Sequence, residues 1–204
     1  MNKYLNIIII SFFSALTLAL KNVGYVFFIP IACFFTFSNP KNILLIAASS
    51  ILAILLYDYH HVWSLLIVLS LITIYTFVYK EKQYLINLVF ILLVNFLSLS
   101  FLLKENKDYI LNLIFSFIGV ALYSYFTYNM EGIAHSVRSR NFTYNEVIMA
   151  IISVIGATAL SVSGINFALP VAMFFAMYFS KNQYPLHSVF FSLISMFFLR
   201  FVFA

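Results

Sequence analysis

Long apolar runs, each interrupted by a few charged or turn-forming residues, are the feature that most constrains this sequence. A helix needs ~17–25 apolar residues to cross the ~30 Å of hydrocarbon in a bilayer. In chain order the runs are Tyr4–Leu20, Val23–Phe37, Ile43–Tyr57, Val62–Tyr79, Tyr84–Leu103, Tyr109–Tyr128, Val147–Val162, Phe167–Ser180 and His187–Ala204. The pattern predicts an all-α, polytopic helical bundle in a membrane, with about nine transmembrane helices, within a range of roughly eight to ten.

The amino-acid composition agrees with a membrane location. Hydrophobic residues make up 64% of the 204 residues and charged residues 8%, and the mean hydropathy is +1.05. A soluble domain has about 25% charged residues, so this chain has too few polar side chains to cover a water-facing surface. Its 11 Lys and Arg lie singly between apolar runs, which argues against a nucleic-acid-binding face. The single Cys33 excludes a disulfide framework.

A polar stretch divides the chain into two blocks. Residues 1–128 are predicted to form an N-terminal membrane block of about six helices, residues 129–146 a cytoplasmic loop, and residues 147–204 a C-terminal membrane block of about three helices. The sequence from Val147 to Ser180 is too long for one crossing, and Ser163-Gly164-Ile165-Asn166 at its middle predicts a tight turn. We therefore expect two helices that fold back on each other there.

Basic residues in the short loops predict the orientation. With the N-terminus in the cytoplasm, seven Lys and Arg fall in inside loops and three in outside loops. The inside residues are Lys3, Lys41, Lys80, Lys82, Arg138, Arg140 and Lys181, and the outside residues are Lys21, Lys104 and Lys107. This bias favours a multi-pass protein of the cell membrane with a cytoplasmic N-terminus. A cleaved signal peptide over Met1–Leu20 is the alternative, disfavoured because the next apolar run begins at once.

Small residues recur four apart in three runs, a spacing that lets helix backbones approach each other closely in lipid. The stripes are Ser11/Ala15/Ala19, Ser153/Ala157/Ser161 and Ala168/Ala172/Ala176. The last two flank the predicted turn, so we expect an antiparallel helix pair that packs along these small faces. Pro30 and Pro170 also lie within apolar runs and predict kinks there.

Ionisable residues avoid the middle of the predicted spans. The six acidic residues, all at or near predicted segment ends, are Asp58, Glu81, Glu105, Asp108, Glu131 and Glu146. An ion-coupled transporter needs a buried ionisable group, so this distribution argues against one. The segment from Thr143 to Glu146 has the form of a capping box and predicts a helix start, with a proton-relay role for Glu146 as the alternative.

Few residues qualify as candidates for a functional site. Asn95 and Asn112 lie inside predicted spans, and we interpret both as interhelical hydrogen-bond donors rather than ligand contacts. Asp58, His60 and His61 fit a solvated turn, with a divalent metal site on the outer face as the alternative. Because the chain has 5 glycines, none in a phosphate-binding pattern, a nucleotide loop is excluded. We therefore predict no catalytic residue, no cofactor, no metal site and no enzymatic activity.

Two segments resemble the membrane region of the stage II sporulation protein E family. Lys21–Phe35 is similar to that family's early Phe- and Pro-containing helix, and Arg138–Ile148 is similar to its loop into the late helices. In that family an array of membrane helices precedes a cytoplasmic metal-dependent serine/threonine phosphatase domain and anchors it at the division septum during sporulation. The 204 residues contain no such domain, so the resemblance implies a role in anchoring and no catalytic residue.

Three functional hypotheses follow from these patterns. The first is a non-catalytic polytopic membrane domain that anchors, localises or oligomerises a partner activity, in contact with the lipid bilayer and with a second copy or a membrane partner, and without nucleic acid. The alternative is the small-molecule-binding membrane subunit of an energy-coupling-factor transporter. Such subunits use small residues on an early helix to dock a partner, and the Ser11/Ala15/Ala19 stripe would serve as that surface. A transferase acting on lipid-linked sugars is disfavoured because the outer loops are only a few residues long.

Overall fold

The computed structural model describes residues 3–19, 24–57, 62–79, 83–102, 108–136, 144–158, 161–162 and 165–181. These residues form an all-helical fold apart from one two-residue strand pairing. The helices are α1 (Lys3–Leu16), α2 (Gly24–Ser38), α3 (Asn42–Tyr57), α4 (Val62–Val78), α5 (Tyr84–Leu97), α6 (Tyr109–Ser136), α7 (Tyr144–Ala157) and α8 (Ala168–Lys181). A 3₁₀ helix, Thr17–Ala19, extends α1, and a π-helix, Ser98–Leu102, extends α5.

The helices follow the predicted apolar runs closely over the first part of the chain. One difference is that α6 continues to Ser136, so residues 129–136 of the predicted cytoplasmic loop are helical. This stretch contains Met130, Glu131 and Ala134, which are good helix formers, and no proline interrupts it. The predicted last run, His187–Ala204, lies outside the described residues.

Helix α2 lies at the centre of the bundle. Of its 15 residues, 12 are buried, and its neighbours are α1, α3, α4, α5 and α6. A helix surrounded in this way has to be apolar on every side, and α2 contains no charged residue. Its C-terminus is closed by Asn42, whose Nδ2 donates a hydrogen bond of 2.9 Å to the carbonyl oxygen of Phe35. The bundle is therefore organised around one buried helix.

Helices α7 and α8 form the antiparallel pair that the sequence predicts. Strand β1 (Ser161–Val162) pairs antiparallel with β2 (Ile165–Asn166), which confirms that the chain turns back between them. Ala157 of α7 and Ala168 and Ala172 of α8 are buried together in one apolar cluster, so the small faces do meet. Ser161 differs from the prediction, because α7 ends at Ala157 and Ser161 belongs to the strand.

The two prolines have different roles. Pro30 lies in the interior of α2, as predicted. Pro170, in contrast, is in the first turn of α8, where backbone N–H groups have no partner within the helix in any case. The prediction that Pro170 sits at a kink inside a helix is therefore wrong.

The outer surface of the bundle is strongly apolar. Two helical segments among the described residues are long and apolar enough to span a membrane: Tyr84–Phe101, with 18 residues and a mean hydropathy of 2.1, and Tyr109–Thr127, with 19 residues and 1.7. Only 33% and 28% of these segments are buried. On α5 and its extension, exposed side chains recur every four residues at Leu85, Val89, Leu93, Leu97 and Phe101. Such a continuous apolar stripe is unusual on a water-facing surface.

Candidate functional site between helices α2, α5 and α6

Polar residues recur along the buried face where α5 meets α6. Asn87 and Asn95 are buried on α5, and their spacing places them on the same side of the helix. Asn112, Ser116 and Tyr123 are buried on α6. The two helices run antiparallel, since Asn87 pairs with Tyr123 and Ser100 pairs with Asn112. We name these residues, together with Ser100 and Gly119, the polar ladder. Its three levels are Asn87 with Tyr123, Asn95 opposite Gly119, and Asn112 with Ser100 and Ser116.

The first level uses both ends of the Asn87 amide. The hydroxyl of Tyr75, on α4, donates a 2.7 Å hydrogen bond to Oδ1 of Asn87. Nδ2 of Asn87 lies 3.5 Å from the hydroxyl of Tyr123 and donates to it. Thr127, one turn further along α6, donates from Oγ1 to the backbone carbonyl oxygen of Tyr123 at 2.9 Å. Three helices are thus linked through one amide whose polar groups are both satisfied.

Aromatic rings close the first level. Tyr75 stacks on Phe90 with a centroid distance of 3.8 Å and an interplanar angle of 14°. Phe37 of α2 lies against Tyr75, Phe90 and Tyr123, with centroid distances of 5.3, 6.2 and 6.1 Å. The three Phe37 contacts lie within the range of roughly 4.5–7 Å that is typical of favourable aromatic pairs. The first level therefore holds α2, α4, α5 and α6 together by aromatic packing as well as by hydrogen bonds.

The second level is different, because its amide has no partner. Asn95 is 0% exposed, and neither Oδ1 nor Nδ2 makes a hydrogen bond. A Cβ added to Gly119 of α6 would lie 2.5 Å from Nδ2 of Asn95 and 3.5 Å from Cγ of Pro30. Gly119 therefore lets α6 pack directly against the amide, and three helices meet there. The prediction that Asn95 is an interhelical hydrogen-bond donor is wrong, since the residue opposite it offers no side chain.

The backbone is irregular on two sides of Asn95. Pro30 has no N–H, so α2 lacks the hydrogen bond that this residue would otherwise donate to the carbonyl of Val26. On α5, the N–H of Ser98 donates to the carbonyls of both Asn95 and Val94, and the π-helix begins at Ser98. Short π-helical segments are rare and occur frequently at functional sites. The central level thus combines an unsatisfied amide with two interruptions of regular helix.

The third level is again satisfied. Nδ2 of Asn112 donates a 3.3 Å hydrogen bond to Oγ of Ser100, so the prediction of an interhelical bond by Asn112 is confirmed. Ser116 donates from Oγ to the carbonyl oxygen of Asn112 at 2.7 Å. Near this end Asp108 caps α6, because its Oδ1 accepts from the N–H groups of Ile110 and Leu111 at 3.2 Å.

The sequence also singled out residues elsewhere in the chain as candidates for a site. Asp58, His60, His61 and Thr143 fall outside the described residues. Glu146 lies in the first turn of α7. Within the described part of the chain, no group of three or more His, Cys, Asp or Glu side chains is placed to hold a metal ion.

Among the members of the polar ladder, only Asn95 and Asn112 were identified from the sequence. Asn87 lies eight residues before Asn95, so the shared helix face was readable from spacing alone. Tyr123 carried no such signal, because tyrosine is common throughout this chain, which has 14 of them. Its role depends on the register between α5 and α6.

The fold and the site together define a helical bundle with an apolar exterior and an interior row of neutral amides and hydroxyls. Comparison with protein-family models, with curated proteins and with solved structures gives no match to this chain. The groups of the polar ladder donate and accept hydrogen bonds without carrying charge. Within the polar ladder, Asn95 is the residue whose side-chain polar atoms have no hydrogen-bond partner.

Proposed function

We propose that this chain is a multi-pass protein of the cell membrane, with about nine spans and its N-terminus in the cytoplasm. The observation that carries this proposal is the apolar exterior. Exposed apolar side chains cover the outer faces of α4, α5, α6 and α8, for example Trp63, Leu85, Ile110 and Met177. In water such a surface would promote association, whereas in lipid it is the expected solvent-facing surface.

Within the membrane, the bundle acts as a non-catalytic scaffold that anchors, localises or oligomerises a partner activity. The buried polar side chains in the described residues are mostly serine, threonine and asparagine, and those of Asn87 and Asn112 join helices through neutral hydrogen bonds. The resemblance to the membrane region of the stage II sporulation protein E family supports the same role. The outer helix faces are the surfaces on which a second copy or a membrane partner would dock.

Reporter fusions test the topology. A cytoplasmic reporter and an extracytoplasmic reporter are fused in turn after Lys82, Asn106, Arg140 and Ala204. We expect inside signals at Lys82 and Arg140 and outside signals at Asn106 and Ala204, because basic residues favour the inside loops. An inside signal at Ala204 would overturn the count of nine spans, and an outside signal at Lys82 would overturn the orientation.

Site-specific cross-linking tests the scaffold role. A photo-reactive phenylalanine analogue is placed at Phe101 or at Phe117, which are 69% and 57% exposed, and at the fully buried Phe126 as the matched control. We expect defined adducts with a second copy or one membrane protein from an exposed position and none from Phe126. A chain that yields only lipid adducts at both exposed positions contradicts the scaffold role.

A second candidate function is favoured by the central level of the polar ladder. The unpartnered amide of Asn95 is the kind of group that orients a ligand in an otherwise apolar site. The chain would then be a small-molecule-binding membrane subunit, like the substrate-binding component of an energy-coupling-factor transporter. Retention of a small molecule by the purified protein would favour this function. A purified protein that binds no small molecule would contradict it and leave the scaffold role as the remaining proposal.

A further inference from the structure

Exposed tyrosine and tryptophan side chains lie at the ends of the outer helices. Among the side chains that the structure describes, the exposed ones of these two types are Trp63 (76%), Tyr79 (49%), Tyr84 (47%) and Tyr109 (59%). They stand at the two ends of α4 and at the first residues of α5 and α6. The large exposed side chains between these ends are leucine, isoleucine, valine and phenylalanine. Such a distribution is typical of the two interfaces between a membrane and water.

Contacts between the helices sort these aromatic residues into two levels. Tyr75 bonds to Asn87, which places the end of α4 beside the start of α5, and the π-helix at the end of α5 also contacts α4. Helices α4 and α5 are therefore antiparallel, and so are α5 and α6. The starts of α4 and α6 thus lie at one end of the bundle, and the start of α5 lies at the other. We name the two levels the aromatic belts, one formed by Tyr79 and Tyr84 and the other by Trp63 and Tyr109.

The distance between the aromatic belts is short for a membrane. At ~1.5 Å per residue, the axis of α4 rises about 24 Å from Trp63 to Tyr79. On α6, the pairing of Tyr123 with Asn87 places the far belt about one turn beyond Tyr123, so the belts are about 26 Å apart along this helix. A typical hydrocarbon core is ~30 Å thick, and any tilt of the helices would shorten the span further. Helices α2 and α3 agree, since their 15 and 16 residues rise about 22–24 Å.

We propose that the outer surface of α4, α5 and α6 fits a bilayer whose hydrocarbon core is about 24–26 Å thick, with one aromatic belt at each of its faces. In a thicker bilayer the belts would be drawn into hydrocarbon, or the surrounding lipid would have to thin, and either change is unfavourable. Phospholipids with short acyl chains avoid both costs, so this surface binds them in preference to longer ones. The inference rests on the proposed membrane function and deepens it by naming the class of lipid that contacts the chain.

Tryptophan fluorescence in lipid vesicles tests the fit. Trp63 is the single tryptophan of the chain, so the substitution Trp63→Phe gives a background without this signal. In that background Phe117→Trp is the probe, at an exposed position about midway between the belts on α6, and Phe126→Trp is the matched control at a buried position. Leu93→Trp, exposed on α5, is a second probe in case the first does not fold.

The assay measures competition between lipids at the surface of the full chain. The purified protein is reconstituted in dioleoyl phosphatidylcholine brominated at mid-chain, mixed with one unbrominated phosphatidylcholine. The unbrominated series runs from dimyristoleoyl through dipalmitoleoyl and dioleoyl to dierucoyl lipid, in order of increasing chain length. Bromine quenches a nearby tryptophan, so an unbrominated lipid that binds more tightly restores the fluorescence.

We expect strong quenching of Phe117→Trp and weak quenching of Phe126→Trp. Dimyristoleoyl or dipalmitoleoyl lipid should bind tightest, about twofold or more above dierucoyl lipid. Trp63 in the unchanged chain should be quenched less than the probe, because it lies at the interface and the bromines lie at mid-chain. Equal quenching of the two would overturn the belt.

Two further outcomes separate the lipid preference from the membrane function. Tightest binding of dioleoyl or dierucoyl lipid, or equal binding of the whole series, would overturn the fit to a thin bilayer and leave the membrane function intact. Absence of quenching in both Phe117→Trp and Leu93→Trp would overturn the membrane function itself.

Discussion

Substitution of Gly156 by alanine tests the contact between α1 and α7. A Cβ at Gly156 would collide with the backbone carbonyl of Phe13. Because the new Cβ would meet backbone atoms of Phe13, the two helices have to separate. A clash with the end of a side chain could instead be relieved by rotation of that side chain. Overpacking costs about 1–3 kcal/mol, and the higher helix propensity of alanine returns about 1 kcal/mol. A collision with backbone atoms lies at the upper end of this overpacking cost. After the propensity gain is subtracted, we expect the free energy of unfolding to fall by about 2 kcal/mol.

The measurement is unfolding of the purified protein by SDS titration in mixed micelles. Gly119→Ala is the matched comparison, since its new Cβ would meet mainly the end of the Asn95 side chain. Rotation about the Asn95 torsion angles moves this atom at lower cost than a shift of the backbone, so we expect a loss of about 1 kcal/mol or less. If Gly156→Ala is as stable as the wild type, the close contact of α1 with α7 does not exist and the reasoning is refuted.

Three further substitutions are measured by the same titration. Asn95→Leu should raise the free energy of unfolding by about 1–3 kcal/mol in the absence of ligand, because it removes unsatisfied buried polar atoms; a less stable variant would show that the amide has a partner. Tyr75→Phe should cost about 1 kcal/mol by deleting the hydrogen bond to Asn87, while Tyr79→Phe, at an exposed ring, should change little; equal effects would contradict this assignment. Asp108→Ala should cost about 1 kcal/mol by removing the N-cap of α6, and Asp108→Asn should retain most of it; no loss in the alanine variant would rule out the cap.

The helices were predictable because the signals for them are local. Apolar runs bounded by charged residues located α1 to α5 and the start of α6 to within a few residues. The segment from Ser163 to Asn166, which contains Gly164, located the turn between α7 and α8. The end of α6 was missed because residues 129–136 are more polar than a membrane run but contain no helix breaker. Polarity and helicity are separate properties, and the prediction treated them as one.

The candidate site was only partly predictable. Asn95 and Asn112 were singled out for the same reason, as polar residues inside apolar runs, and both were expected to bond to a neighbouring helix. Asn112 does so, through Ser100, and Asn95 does not, because Gly119 stands opposite it. Which residue faces which depends on the register between two helices, and a single sequence carries no measure of that register.

The sequence by itself determined the helical class, the apolar character of the surface and the point where the last described helices turn back, because each depends on residues close together in the chain. Only the tertiary structure decided that α2 is the central helix and that the Asn95 amide is left without a partner. The apolar runs are too alike in hydropathy to rank by burial. Their arrangement follows from where small residues such as Gly119 and Gly156 allow close approach, and that is a property of contacts between distant segments.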